Sequence, residues 1–208
     1  MVVAARARHN RQNLNESILP PSSSVMRQIY LDYNATTPIA PSVVEAMLPF
    51  FNEHHGNPSS SHSLGRACAE AVAAAREQVA TLLGCDDVEV IFTSCGTESN
   101  NLAIKGILMN ERPAAGGHLV ISAIEHPAIT EPANFLETLG YDVTIIPCSS
   151  AGVVDPDDIA QAIRPSTRLV SIMHANNETG VVQLIREIAA ICRERDVLLH
   201  TDAAQSLG

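Results

Sequence analysis

The sequence predicts an α/β fold in which helices cover both faces of a mostly parallel sheet, and three observations carry that reading. From Gln28 onward, short β-rich runs alternate with helical patterns. The runs "HLVIS" (118–122), "RLVSIMH" (168–174) and "VLLHTD" (197–202) are nearly continuous in apolar residues, as strands buried on both faces are. The composition agrees: it is 46% hydrophobic but only 3% aromatic, with no Trp, which suits Ala-rich helices packed closely on a sheet and not disorder.

Taken in order, "IYLD" (29–32) reads as a short strand. A helix over 41–51 follows, with Pro41 and Ser42 suited to its first turn. The clearest helix is 63–83. There Cys68, Val72, Ala75, Val79 and Leu82 recur at spacings of four and three, and Gly84 stops the run. A strand over 88–94 and a helix over 97–109 come next. The strand 118–122 leads into a helix over 127–139 that Gly140 ends. After a strand over 142–147, Asp155 and Pro156 open a helix as N-cap and first residue. A strand over 168–174, a helix over 184–195 and a strand over 197–202 complete the pattern. There is no internal repeat. The chain stops at Gly208 just past a strand, so the sheet is expected to be incomplete at the C-terminus, with an exposed edge and apolar face.

Residues 1–27 lack any apolar period and contain "PPSSS" (20–24). They read as a flexible N-terminal extension to the domain at 28–208. Their Arg6, Arg8, Arg11 and Arg27 against Glu16 alone also fit a mitochondrial transit peptide, although "VVAARA" makes a poor amphipathic arginine face. The net charge of −10 argues against nucleic acid or an anionic membrane as a partner. Five scattered cysteines without C-x-x-C spacing read as reduced thiols, hence a cytoplasmic location. No apolar run is long enough to span a membrane, so a soluble protein is expected.

Ligands of open α/β sheets bind outside the carboxyl ends of the strands, and the residues with chemical character follow the strands here. In "TSCGTESNN" (93–101), Gly96 and Thr97 offer amide and hydroxyl donors to a phosphate at a helix N-terminus, or simply start a helix. The absence of G-K-[ST] excludes a nucleotide P-loop. His126, between a strand and Pro127, can stack on an aromatic ligand, act as a base near neutral pH, or cap the helix. In "MHANNETG" (173–180), Asn177 is either a donor to a ligand oxygen or a turn residue. Asp202 leaves an apolar strand into a small-residue turn. A partly buried carboxylate there needs a strong donor, a protonated pyridine nitrogen or an Arg. His200 and Asp202 lack a third ligand at metal spacing, so no metal is expected. A phosphate cradle, a ring-stacking His, an amide and a carboxylate at successive strand ends are the equipment for a phosphorylated pyridine cofactor.

The segments "YLDYNATTPIAPSVVEAMLPFF", "HHGNPSSSHSLGRACAEAVAAAREQVA", "IFTSCGTESNNLAIKGI", "EHPAI", "MHANNETGVVQ" and "HTDAAQSLG" resemble the cysteine desulfurases. These are class-V, fold-type-I pyridoxal-phosphate enzymes, and selenocysteine lyases are their near relatives. The resemblance runs from Ile29 to Gly208 in unbroken order. It implies pyridoxal 5'-phosphate as cofactor and removal of sulfur from L-cysteine, giving alanine and an enzyme persulfide for iron–sulfur or thio-cofactor synthesis. It places Gly96 and Thr97 at the phosphate, and His126, the catalytic candidate, over the pyridine ring. Asn177 falls at the ring oxygen, Asp202 at the ring nitrogen and Gln205 at a further cofactor contact. Asn34, Ala35 and Thr36 match the segment bordering the substrate. A homodimer and a sulfur-acceptor protein are implied as partners.

Two departures matter. Cys95 stands where the family has glycine, and the chain's only lysine, Lys105, lies within the helix after "GTESNN" and matches a different position from the cofactor-linking lysine. The resemblance puts that lysine and the sulfur-carrying cysteine beyond Gly208, so the chain is expected to be a catalytically incomplete fragment. Selenocysteine lyase shares every motif present, and a non-catalytic dimerising or scaffold domain is the alternative of another class.

Overall fold

The computed structural model describes residues 29–110 and 117–207; the proposed extension at 1–27 lies outside the described residues. The chain divides into two units, residues 1–33 and 34–208. In the first, Tyr30 and Tyr33 meet edge to face with ring centroids 5.3 Å apart, and the Tyr30 hydroxyl donates to the Asp32 carbonyl at 2.8 Å.

The second unit is built on four parallel strands: β1 (His118–Ser122), β2 (Asp142–Ile146), β3 (Thr167–Ser171) and β4 (Leu198–His200), in the order β2-β1-β3-β4. Alternation along each strand sorts the apolar side chains onto two faces. Leu119, Ile121 and Leu169 form one core with Ile104 and Leu108 of α4 (Gly96–Asn110) and Ile129, Ala133 and Leu136 of α5 (Pro127–Thr138). Val120, Ile146, Val170 and Ile172 form the other with Ile159 of α6 (Pro156–Ala162) and Ile188 and Cys192 of α7 (Ile185–Glu194). Both faces are therefore covered, as the apolar runs predict. In this strand order the chain leaves β1 toward β2 and returns past it to β3, so the topological switch point lies between β1 and β3.

The helices fall close to their predicted bounds. Asp155 caps α6, accepting from the Asp157 amide at 2.9 Å, and Pro156 opens it. Three expectations are corrected. The 41–51 helix is broken into α1 (Pro41–Met47) and α2 (Pro49–Asn52), because Pro49 cannot donate the backbone bond that would carry the helix through. The runs 29–32 and 88–94 form no strand. Asp87–Glu89 is instead a 3-10 turn closed by an Asp86–Glu89 capping box, and no neighbouring strand pairs with 90–94. A strand exists only through its ladder, which β-propensity alone does not supply. α3 (Ser63–Leu83) forms where the stripe predicts it, and Gly84 ends it at φ 69°. Yet only Cys68 of the stripe is buried, while Val72, Ala75 and Leu82 are exposed.

A buried histidine ties the sheet together at its amino end. His118 is fully buried; its Nδ1 and Nε2 each lie 2.8 Å from a threonine hydroxyl, Thr167 on β3 and Thr144 on β2. Burial, then the Arg164 charge, lowers its pKa, with Asp142 opposing. The unfolded chain therefore binds the proton more readily, and the stability His118 contributes is complete above the ordinary value of about 6.5 and falls as pH drops below it. His200, also lowered chiefly by burial, adds to the same slope. As pH falls from 7.5 to 5.5, the urea midpoint of the parent should drop relative to that of His118→Asn.

Candidate active site at the carboxyl ends of the strands

Four segments meet at the carboxyl end of the sheet: the turn after β1, the loop after β3, the chain after β4 and the first turns of α4. Asp202 follows β4 and is half-buried. Its Oδ2 accepts from Asn100 Nδ2 of α4 at 2.8 Å and its Oδ1 from the Ala204 amide at 3.0 Å. The strong donor expected for this carboxylate is thus an asparagine from α4, which also fastens that helix to the β4 end. The His174 amide donates to the Asp202 carbonyl at 2.9 Å and joins the β3 and β4 ends.

Gly96 and Thr97 form the first turn of α4, one turn before Asn100, where backbone amides lack intrahelical acceptors. A Cβ placed on Gly96 would meet nothing within 4 Å, so open space lies over this turn. The Glu98 side chain folds back on Ser94, accepting from its amide at 2.7 Å and its hydroxyl at 2.6 Å. These bonds hold the Glu98 pKa below its ordinary value. Cys95 beside it is exposed, and its pKa is lowered first by the Glu98 amide and then by the Ser94 hydroxyl. Donors at the start of the helix thus set its direction.

His126 is the N-cap of α5, its Nδ1 accepting from the Ala128 amide at 3.0 Å. Capping, one of its three sequence readings, is therefore present. With Nδ1 accepting that bond, Nε2 is left facing outward on an exposed ring.

Asn34, Asn177 and Gln205 come together. Asn34 Nδ2 donates to the Asn177 carbonyl at 2.7 Å, and Gln205 Nε2 donates to the Asn34 carbonyl at 3.4 Å. The two adjacent asparagines divide the labour. Asn176 builds the turn, its Oδ1 accepting from the Glu178 and Thr179 amides and its Nδ2 donating to the Ile124 carbonyl at 3.0 Å. The Asn177 amide makes no hydrogen bond among the described residues. Ala35 and Thr36 are exposed beside Asn34, and no side-chain bond joins them to the cluster.

Sequence reasoning missed Glu125. It is 9% exposed, and its Oε1 accepts from the Ser122 hydroxyl and, at 2.9 Å, from the Met173 amide. Its Oε2 and the Thr201 hydroxyl are buried polar atoms without a hydrogen-bond partner among the described residues. Burial pushes its pKa up to about 7; the Ser122 and Met173 bonds oppose the rise and the Asp202 charge adds to it. Its signal in the sequence was a lone carboxylate directly after an apolar strand, a residue type seldom buried without a reason. Because the folded state holds this proton more tightly, the contribution of Glu125 to stability is complete below its unfolded value of about 4.3 and is lost as pH rises toward 7. That slope opposes the one from His118. Replacing Glu125 by Gln should therefore steepen the gain in urea midpoint between pH 5 and 7.

Among the described residues, no group of three or more His, Cys, Asp or Glu is placed to hold a metal, and no helix is long and apolar enough to cross a membrane. Residues 29–208 match the family model for aminotransferase class-V. The chain is 50% identical over 182 residues to cysteine desulfurase IscS of Dictyoglomus turgidum, covering 88% of this chain and 46% of that protein. Against cysteine desulfurase IscS of Methanosarcina thermophila it is 45% identical over 186 residues, covering 89% and 46%. A solved structure of SspA in complex with cysteine superposes with a TM-score of 0.83 at 42% identity, covering 85% of this chain and 51% of the other. The chain spans about half the length of the curated relatives it matches.

Proposed function

The chain belongs to the class-V aminotransferase family, and from that premise we propose that it carries the non-covalent contacts of a pyridoxal 5'-phosphate site in a cysteine desulfurase acting on L-cysteine. The observation that carries this reading is the half-buried Asp202 carboxylate, held by Asn100 and the Ala204 amide where the ends of β1, β3 and β4 converge. The donor set fits the group. Open space over Gly96 leaves room for a phosphate at free helix amides, and two buried polar atoms at the strand ends have partners to gain. The names of the relatives, and a structural neighbour solved with cysteine, support the substrate.

In this reading the Gly96 and Thr97 donors would hold the phosphate, and Asp202 would hold a proton on the ring nitrogen. His126 would lie over the ring, the free Asn177 amide would meet the ring oxygen, and Gln205 would contribute a further contact. Asn34, Ala35 and Thr36 border the substrate. When bound, pyridoxal phosphate supplies an electron-accepting ring that an amino acid can join. Asp202 would keep that ring cationic. Lys105 does not enter the site: its Nζ lies over the ring of the exposed Phe135, 4.7 Å from the centroid. A second copy of the chain, a sulfur-acceptor protein and a cytoplasmic location belong to the same proposal and rest on family membership.

The test is incubation with pyridoxal phosphate, reduction with borohydride and intact-mass measurement. Reversible binding with an unchanged protein mass is expected. Stoichiometric adduct at Lys105, or no binding at all, would overturn the reading.

A further inference from the structure

We propose that Glu125 is a positioning residue of this site: its carboxyl fixes the spacing between the ends of β1 and β3, and thereby sets where His126 and the loop carrying Asn177 stand. The inference rests on the pyridoxal-phosphate reading. Two bonds cross the switch point, from the Met173 amide to Glu125 Oε1 at 2.9 Å and from Asn176 Nδ2 to the Ile124 carbonyl at 3.0 Å. Ser122, the last residue of β1, donates its hydroxyl to the same Oε1 and holds the carboxyl in place. His126 follows Glu125 directly and caps α5, while Asn176 turns the chain that presents Asn177. One carboxyl oxygen thus joins the strand before the ring-stacking residue to the loop that carries the ring-oxygen donor.

The group is a carboxyl whose second oxygen is buried and unpartnered. Ionised, that oxygen would carry charge in a dry site beside Asp202, which faces it from the β4 end. The other groups meeting it are the Ser122 hydroxyl on β1 and the Met173 amide after β3. The two donors favour the ionised carboxyl and burial favours the neutral one, so the clamp rests on Oε1 as an acceptor in either form. Glutamine keeps the Oε1 acceptor and the shape without the charge; alanine leaves the Met173 amide and the Ser122 hydroxyl buried without an acceptor.

Two measurements on the full chain test this. In the absence of cofactor, exchange protection of the Met173 amide should fall about tenfold in Glu125→Ala, as expected for one lost buried hydrogen bond, and stay within about twofold in Glu125→Gln. Pyridoxal-phosphate affinity should follow the same order, with a loss of about tenfold in the Ala variant and rescue in the Gln variant. Unchanged Met173 protection in Glu125→Ala overturns the clamp, as does a Gln variant as impaired as the Ala variant. Unchanged cofactor affinity in a Glu125→Ala chain with lost protection overturns its positioning role. If the parent itself fails to bind pyridoxal phosphate, the reading of the site fails, and the Met173 measurement still judges the clamp.

Discussion

Asp202→Asn is expected to weaken pyridoxal-phosphate binding by about tenfold, the cost of exchanging a charge-assisted hydrogen bond for a neutral one. The substitution keeps the side-chain volume and an acceptor for the Ala204 amide, which Asp202 now engages at 3.0 Å. What it removes is the negative charge that would hold a proton on a pyridine nitrogen. The loss should be specific to the ring. Inorganic phosphate, which meets only the α4 amides, should bind the variant and the parent equally in the same titration. Asn100→Ala removes one donor from Asp202 and leaves its charge, so a few-fold effect is expected for it. Equal affinity of the Asp202→Asn variant and the parent for pyridoxal phosphate would remove Asp202 from the site.

Gly65→Ala is expected to cost about 3 kcal/mol of stability, at the upper end of what overpacking a buried position costs. Gly65 is buried in the first turn of α3, and a Cβ there would lie 2.3 Å from the Ser60 carbonyl oxygen and 2.7 Å from that of Asn57. Both obstacles are backbone, so the 57–60 turn must move as a unit; no side chain can simply swing aside. The His62 cap, whose Nδ1 accepts from the Gly65 amide at 3.3 Å, would be disturbed with it. Gly106→Ala supplies the opposite sign. It lies exposed within α4 with nothing within 4 Å of the added Cβ, so the gain in helix propensity should stabilise the chain by roughly 0.5–1 kcal/mol. Urea denaturation of the two variants reads both values; equal effects would contradict the close approach at Gly65.

The sheet was legible because β1 and β3 are buried on both faces, and such strands announce themselves as continuous apolar runs. The helices were legible through punctuation: Asp155 with Pro156 at the start of α6 and Gly84 at the end of α3. The runs at 29–32 and 88–94 were misread because strand propensity resides in the segment, whereas pairing depends on a neighbour that those residues do not find. The exposed stripe of α3 failed for a related reason: periodicity foretells which face can be buried, not whether anything covers it.

At the site, the residues named from strand ends fall at the carboxyl end of the sheet. Asn34, Asn177 and Gln205 join through direct bonds that span most of the chain, and no local pattern encodes those bonds. His126 was ambiguous because stacking, base and cap all require the same residue after a strand; the Ala128 amide shows that it caps α5, a role that leaves the ring face open. Glu125 and Asn100 escaped notice because their importance lies in partners, Met173 and Asp202, that are 48 and 102 residues away.

The most direct test of the account is a backbone-amide NMR titration of the chain with pyridoxal phosphate. The account predicts that Gly96, Thr97, His126, Asn177, Asp202 and Gln205 shift together along one saturable curve while Lys105 stays still. Shifts scattered over the surface, or confined to Lys105 and its neighbours, would contradict a cofactor site at the strand ends.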